Sequence, residues 1–156
     1  MDAAQTAAHA ESGVVVVPSS LKEGVSLASG GFLKSPNGEY LATLQGDGNL
    51  LVQNRFGDLL WASNKYSPQC TRTPPKMIIQ ADSNLVVYCG VPIFATETAI
   101  CGASLHKTEL HILDNGNLVL GRVNRGGGDP VQSGSVFWET GTADDTQSEE
   151  ATVKCS

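Results

Sequence analysis

The sequence predicts an all-β fold built from three related units. Two observations carry that prediction. A nine-residue motif occurs three times, as Gln45-Gly46-Asp47-Gly48-Asn49-Leu50-Leu51-Val52-Gln53, Gln80-Ala81-Asp82-Ser83-Asn84-Leu85-Val86-Val87-Tyr88 and Leu113-Asp114-Asn115-Gly116-Asn117-Leu118-Val119-Leu120-Gly121. Its central asparagines, Asn49, Asn84 and Asn117, stand 35 and 33 residues apart, and self-similarity at such a period signals a repeat architecture. The second observation is the apolar spacing, which is two almost throughout, as in half-buried strands; no stretch carries helical spacing.

Residues 1–13 are read as a flexible N-terminal extension, 14–141 as one folded domain and 142–156 as an acidic tail. Within the domain, Gly31-Phe32-Leu33-Lys34-Ser35 and Glu39-Tyr40-Leu41-Ala42-Thr43 flank Pro36-Asn37-Gly38, a hairpin signal because Asn and Gly tolerate positive φ. In the ladders that follow, alternate side chains face opposite ways. Leu44, Leu50 and Val52 are expected inward in the first copy, Ile79, Ala81, Leu85 and Val87 in the second, and Ile112, Leu118 and Leu120 in the third. Gln80, Asp82, Asn84, Val86 and Tyr88 then form an outward ladder. Leu50, Leu85 and Leu118 match in register and should meet in one core.

A shorter strand follows each ladder: Leu60-Trp61-Ala62-Ser63-Asn64, Ile93-Phe94-Ala95-Thr96-Glu97 and Phe137-Trp138-Glu139-Thr140-Gly141. Trp61, Phe94 and Trp138 are predicted to be equivalent aromatic plugs near a pseudo-threefold axis. The third interval is longer because Arg125-Gly126-Gly127-Gly128-Asp129-Pro130 reads as an inserted loop. Beyond Gly141, Asp144, Asp145, Glu149 and Glu150 make the chain polar and acidic. That segment is expected to be disordered or to order only against another chain.

The bulk composition narrows the function. A chain of 156 residues, 40% hydrophobic and 17% charged, suits one domain with a workable core. A net charge of −6 argues against a sequence-independent nucleic-acid binder. No apolar run approaches the ~20 residues of a membrane span, so no membrane insertion is expected. Residues 1–12 lack the basic start and apolar centre of a signal peptide, which leaves open a cytosolic protein or the mature form of a secreted one. Four cysteines (Cys70, Cys89, Cys101, Cys155) allow three pairings. A bridge from Cys89 to either Cys70 or Cys101 is expected, because both lie just ahead of a ladder.

The second copy, Gln80-x-Asp82-x-Asn84-x-Val86-x-Tyr88, resembles the full Gln-x-Asp-x-Asn-x-Val-x-Tyr signature of the bulb-type (monocot-type) mannose-binding lectins. Trp61-Ala62-Ser63-Asn64 resembles that family's Trp-Ala-Ser/Thr-Asn block, as does the lead-in from Leu21-Lys22-Glu23-Gly24 to Glu39-Tyr40. The likeness covers roughly residues 14–141. It implies a β-prism of the second type (the B-lectin domain), with three small antiparallel sheets around a pseudo-threefold axis. It also implies a non-catalytic carbohydrate-binding protein for mannose or mannose-rich glycans and glycoproteins, with no cofactor and no metal. Lectins of this kind exchange C-terminal strands, so a homodimer through residues 136–140 is expected.

Carried over from that family, Asp82 and Asn84 would contact the axial 2-hydroxyl of mannose, Gln80 the 3-hydroxyl and Tyr88 the 4-hydroxyl. Val86 would pack on the sugar carbons. A sugar hydroxyl both donates and accepts, so a carboxylate beside amide donors suits it. At roughly 1 kcal/mol net per hydrogen bond, a single site would be weak. A millimolar constant is only about −4 kcal/mol, and avidity would need several sites. In the first copy, Gln45, Asp47 and Asn49 are retained, but Leu51 replaces Val and Gln53 replaces Tyr, so a weakened site is expected there. The third has Leu113, Asn115 and Gly121 where the signature needs Gln, Asp and Tyr, and is expected to be scaffold only.

Other signals are weaker. Cys101, His106 and His111 fall close together, but their spacing matches no common zinc pattern. Asp47-Gly48-Asn49 lacks the closing acid of a calcium loop, and Gly126-Gly127-Gly128 lacks the Lys of a phosphate loop. Two alternatives stand beside the lectin reading: a protein-interaction or toxin-like module using the prism as scaffold, and a small hydrolase or redox protein using Cys101.

Overall fold

The computed structural model describes residues 8–9, 15–101, 107–123, 130–131 and 135–155. Two short strands, β1 (Ala8–His9) and β2 (Val15–Val16), pair with each other. The remaining strands form three antiparallel sheets. The first contains β5 (Phe32–Lys34), β6 (Tyr40–Leu44), β7 (Leu50–Asn54) and β8 (Leu59–Ala62) in that order. The second runs β4 (Ser26–Ala28), β9 (Lys76–Ile79), β10 (Leu85–Tyr88), β11 (Pro92–Ala95). The third runs β3 (Ser20–Lys22), β12 (Lys107–Ile112), β13 (Leu118–Val123), β14 (Val136–Glu139), β15 (Thr152–Val153). Among the described residues the only helical turns are short 3-10 segments. The architecture is the all-β fold expected from the repeats, with the three antiparallel sheets that the lectin resemblance implies.

One topological feature was not legible in the motifs. The consecutive strands β3, β4 and β5 each join a different sheet: the third, the second and the first. This short lead-in therefore ties the prism together, with Gly24 N–H donating to Ile79 O and Ile112 N–H to Ser19 O.

The core is layered by threes. Leu21, Leu27 and Leu33, one from each lead-in strand, are fully buried. So are Leu44 and Ile79, with Ile112 at 1% exposure, and so are Leu50, Leu85 and Leu118. Each such leucine contributes roughly 1.5–3 kcal/mol of burial. Trp61, Phe94 and Trp138 close the axis as a mutual edge-to-face cluster, with centroids 6.1, 5.5 and 6.4 Å apart. Edge-to-face rings add about 0.5–1.5 kcal/mol per pair beyond area. Ala81, expected inward, is exposed. The reason is local: residues 80–84 are a turn rather than a strand, with Ser83 N–H donating to Gln80 O.

The segment after Gly141, expected to be loose or to depend on another chain, is held within this one. Ser148 N–H donates to Leu60 O, β15 pairs with β14, and Cys155 is bonded to Cys101. The strand expected to exchange between subunits, β14, here has β13 on one side and β15 on the other. The second disulfide joins Cys70 to Cys89, choosing between the two partners left open for Cys89.

Candidate functional site

Each repeat builds the same hydrogen-bonded node at the mouth of its ladder. In the turn, the Oδ1 of Asp47, Asp82 or Asn115 accepts the N–H of Asn49, Asn84 or Asn117 at 2.9–3.0 Å. That is an Asx turn, the reason these residue types recur two apart. The asparagine carbonyl then accepts a backbone N–H from the returning strand: Asn64 to Asn49, Glu97 to Asn84, Gly141 to Asn117, at 2.8–3.0 Å. Ser63, Thr96 and Thr140 bridge the two strands, each donating to its asparagine Oδ1 and accepting from Leu50, Leu85 or Leu118 N–H. Half of every ladder asparagine is thus committed to the fold, which the sequence reading did not foresee.

What remains free differs between copies. Among the described residues, Asn49 and Asn84 donate no hydrogen bond from Nδ2, and Asp47 and Asp82 accept none at Oδ2. In the third copy, Asn117 Nδ2 donates to Glu139 Oε1 at 2.7 Å, and Glu139 is paired with Lys154 at 2.8 Å. Ala62 and Ala95 occupy the corresponding positions in the other two copies. Burial resists ionisation of Glu139, but the Lys154 and Asn117 hydrogen bonds outweigh it and hold its carboxyl below the usual range.

The far end of the ladder shows the same divergence. In the second copy, Gln80 donates from Nε2 to Tyr88 Oη. Both line a groove of about 600 Å³ with Thr73, Pro74, Lys76, Ile78 and Gly90. In the first copy, Gln53 donates to Gly57 O of its own hairpin at 3.4 Å, and no bond joins it to the exposed Gln45. In the third, a Cβ on Gly121 would collide with Ser135 O and stand 2.7 Å from Pro130 Cβ. The chain leading into β14 therefore fills the space a tyrosine side chain would need.

Val86 is only 3% exposed and Leu51 only 9%, so these ladder positions are buried rather than part of an outward surface. Lys76 and Ile78 were missed in the sequence, although they precede Gln80 at strand spacing on the same face. Thr73, Pro74 and Gly90 reach the groove from loops joined by the Cys70–Cys89 bridge. The signal for those three was tertiary. Of the cysteine–histidine trio, Cys101 is disulfide-bonded, His111 hydrogen-bonds Glu109 at 2.8 Å, and His106 lies outside the described residues. No group of three or more metal-ligating side chains occurs among the described residues.

The three-sheet fold and its relatives place the chain among carbohydrate-binding lectins. More particularly, the chain belongs to the B-type lectin family. It is 32% identical over 103 residues to the B-type lectin plumieribetin of Scorpaena plumieri, covering 65% of this chain and 85% of that one. It is 42% identical over 57 residues to a mannose-specific lectin of Aloe arborescens, covering 36% of this chain and half of that relative's length. No family model matches the chain.

Among solved structures, the fold is similar to the monomeric monocot mannose-binding lectins of Gastrodia elata. The TM-score is 0.63 at 25% identity, over 80% of this chain and 96% of that one. It is also similar to the mannose-specific agglutinin of snowdrop (Galanthus nivalis) bulbs complexed with methyl-α-D-mannoside. There the TM-score is 0.55 at 26% identity, over 69% and 92%. These relatives are lectins, which places the chain with non-catalytic carbohydrate-binding proteins.

Proposed function

We propose that the protein recognises mannose or mannose-rich glycans, with the second copy as its principal site. The observation that carries this reading is the pairing of Gln80 with Tyr88 in an open groove on the copy whose Asp82 Oδ2 and Asn84 Nδ2 have no protein partner among the described residues. A sugar hydroxyl would donate to Asp82 and accept from Asn84, while Gln80 and Tyr88 offer further polar partners and Val86 an apolar floor. The node behind Asn84 holds its amide in place before the ligand arrives, which lowers the ordering cost of binding.

The first copy, with Gln45, Asp47, Asn49, Leu51 and Gln53, is a second and weaker site in this reading. The third is none, because Glu139 and the chain near Ser135 occupy it. The homodimer expected from the resemblance belongs to the same proposal. Sedimentation velocity tests it, and a monomer would leave two sites on one chain as the source of avidity.

A glycan array on the purified protein, with and without free mannose and with EDTA, tests the function. Mannose-inhibited, EDTA-insensitive binding to mannose-rich glycans is the expected result. A blank array from folded protein would instead favour the protein-interaction module.

A further inference from the structure

We infer that the groove of the second copy selects mannose-containing ligands that carry an anionic group, and that Lys76 is the residue that selects them. The inference rests on the mannose reading of that copy. In the β9–β10 ladder, Lys76 is the direct register partner of Tyr88. Directly opposed residues of an antiparallel pair project from the same face with Cβ atoms about 4.5–5.5 Å apart. Lys76 accordingly lines the groove together with Tyr88 and Gln80. A ligand held by Gln80 and Tyr88 lies within reach of the flexible ammonium group.

Three observations make this cation a selecting group rather than ordinary surface charge. First, no ion pair to Lys76 occurs among the described residues, although the acidic protein offers Lys22, Arg55 and Lys154 carboxylate partners. Second, no carboxylate lines this groove among the described residues, and the rim segment 71–76 adds Arg72 and no acid. Third, the positive charge is particular to this copy. The register position opposite the ladder's last residue is Leu41 in the first copy and Glu109 in the third. A groove with a lone ammonium, a phenol, an amide and the Thr73 hydroxyl suits a phosphate, sulfate or carboxylate oxygen beside a neutral sugar. An ammonium acts there as a point charge with three donors.

Isothermal titration of the full chain with methyl α-mannoside, mannose 6-phosphate, mannose 6-sulfate and glucose 6-phosphate tests the inference. The expected result is that one or both anionic mannosides bind roughly three- to tenfold tighter than the neutral one at low ionic strength. The phosphate and sulfate arms separate the two sources of the charge. The advantage should shrink at about 0.5 M salt, because the groove is open and the charges are screened. In Lys76→Gln the ratio of anionic to neutral affinity should fall to about one, and in Lys76→Arg it should be retained. Lys76 is exposed, so neither variant threatens folding.

Neutral mannoside binding with no anionic advantage, or an advantage that survives Lys76→Gln, overturns the inference and leaves the mannose reading standing. Equal binding of glucose 6-phosphate also overturns it, since the charge alone would then suffice. No binding of any mannoside removes the mannose reading and this inference together.

Discussion

Asn117 and Glu139 form a hydrogen bond, Nδ2 to Oε1 at 2.7 Å, that the other two repeats cannot make, because alanine stands where Glu139 does. One repeat therefore satisfies its ladder amide internally, and in the other two that amide has no partner among the described residues. Lys154 completes the arrangement by pairing with the same carboxylate from the C-terminal segment. Glu139 thus adds to the replacements at Leu113, Asn115 and Gly121 that set the third copy apart from the second.

Asp82→Asn isolates the carboxylate from the turn. Asn115 shows that asparagine makes the same Asx bond, at 3.0 Å, so the variant should fold as the parent does. Loss of a charged acceptor should weaken mannoside binding at least about tenfold by isothermal titration. The equivalent Asp47→Asn should change the total only slightly. If Asp82→Asn bound as tightly as the parent, the second copy would not be the principal site.

Gly121→Ala places a methyl group against Ser135 O and Pro130 Cβ, and the nearer obstacle is backbone. Overpacking of this kind costs about 1–3 kcal/mol, measurable as a lowered urea midpoint at unchanged slope. Mannoside affinity should not move if the third copy takes no part in binding, as proposed.

Glu139 gives the protein an acid-sensitive anchor. Its carboxyl titrates below the ordinary 4.5, since the Lys154 and Asn117 bonds overcome the effect of burial. The unfolded chain then takes up the proton more readily than the folded one. The stabilisation is fully present above about pH 4.5 and is lost as pH falls through the lower folded value. Glu139→Gln should lower the melting temperature at neutral pH, and the gap to the parent should close in acid. A gap independent of pH would argue against this ionisation linkage.

Removing the Cys101–Cys155 bridge by a double serine substitution should cost about 4 kcal/mol by loop-closure entropy, given a separation of 54 residues. Hydrogen exchange should then rise across 146–153, where Ser148 and β15 hold the segment to the prism. Removing Cys70–Cys89, with a separation of 19, should cost about 3 kcal/mol and also loosen the Thr73–Pro74 rim of the groove. Unchanged exchange in the C-terminal segment would mean that its strand pairing alone suffices.

Much of the fold and part of the site could be read without coordinates. The three-way register of Leu50, Leu85 and Leu118 and the plugs Trp61, Phe94 and Trp138 followed from period-two spacing and from repetition, both local properties of a chain. Gln80, Asp82 and Tyr88 stood out as an alternating polar ladder that resembles the family signature. The sequence by itself therefore determined the strands, their repetition and most of their facing, and its resemblance to the lectin signature supplied the ligand class.

Tertiary structure alone decided the rest. It sent β3, β4 and β5 to three different sheets and spent the Asn84 carbonyl on Glu97 N–H. It also paired Asn117 with Glu139, brought Ser135 against Gly121, and set Lys76 against Tyr88. The reason is physical. Strand periodicity specifies which way a side chain points, whereas these outcomes depend on which distant strand arrives beside it, and no local pattern encodes that partner.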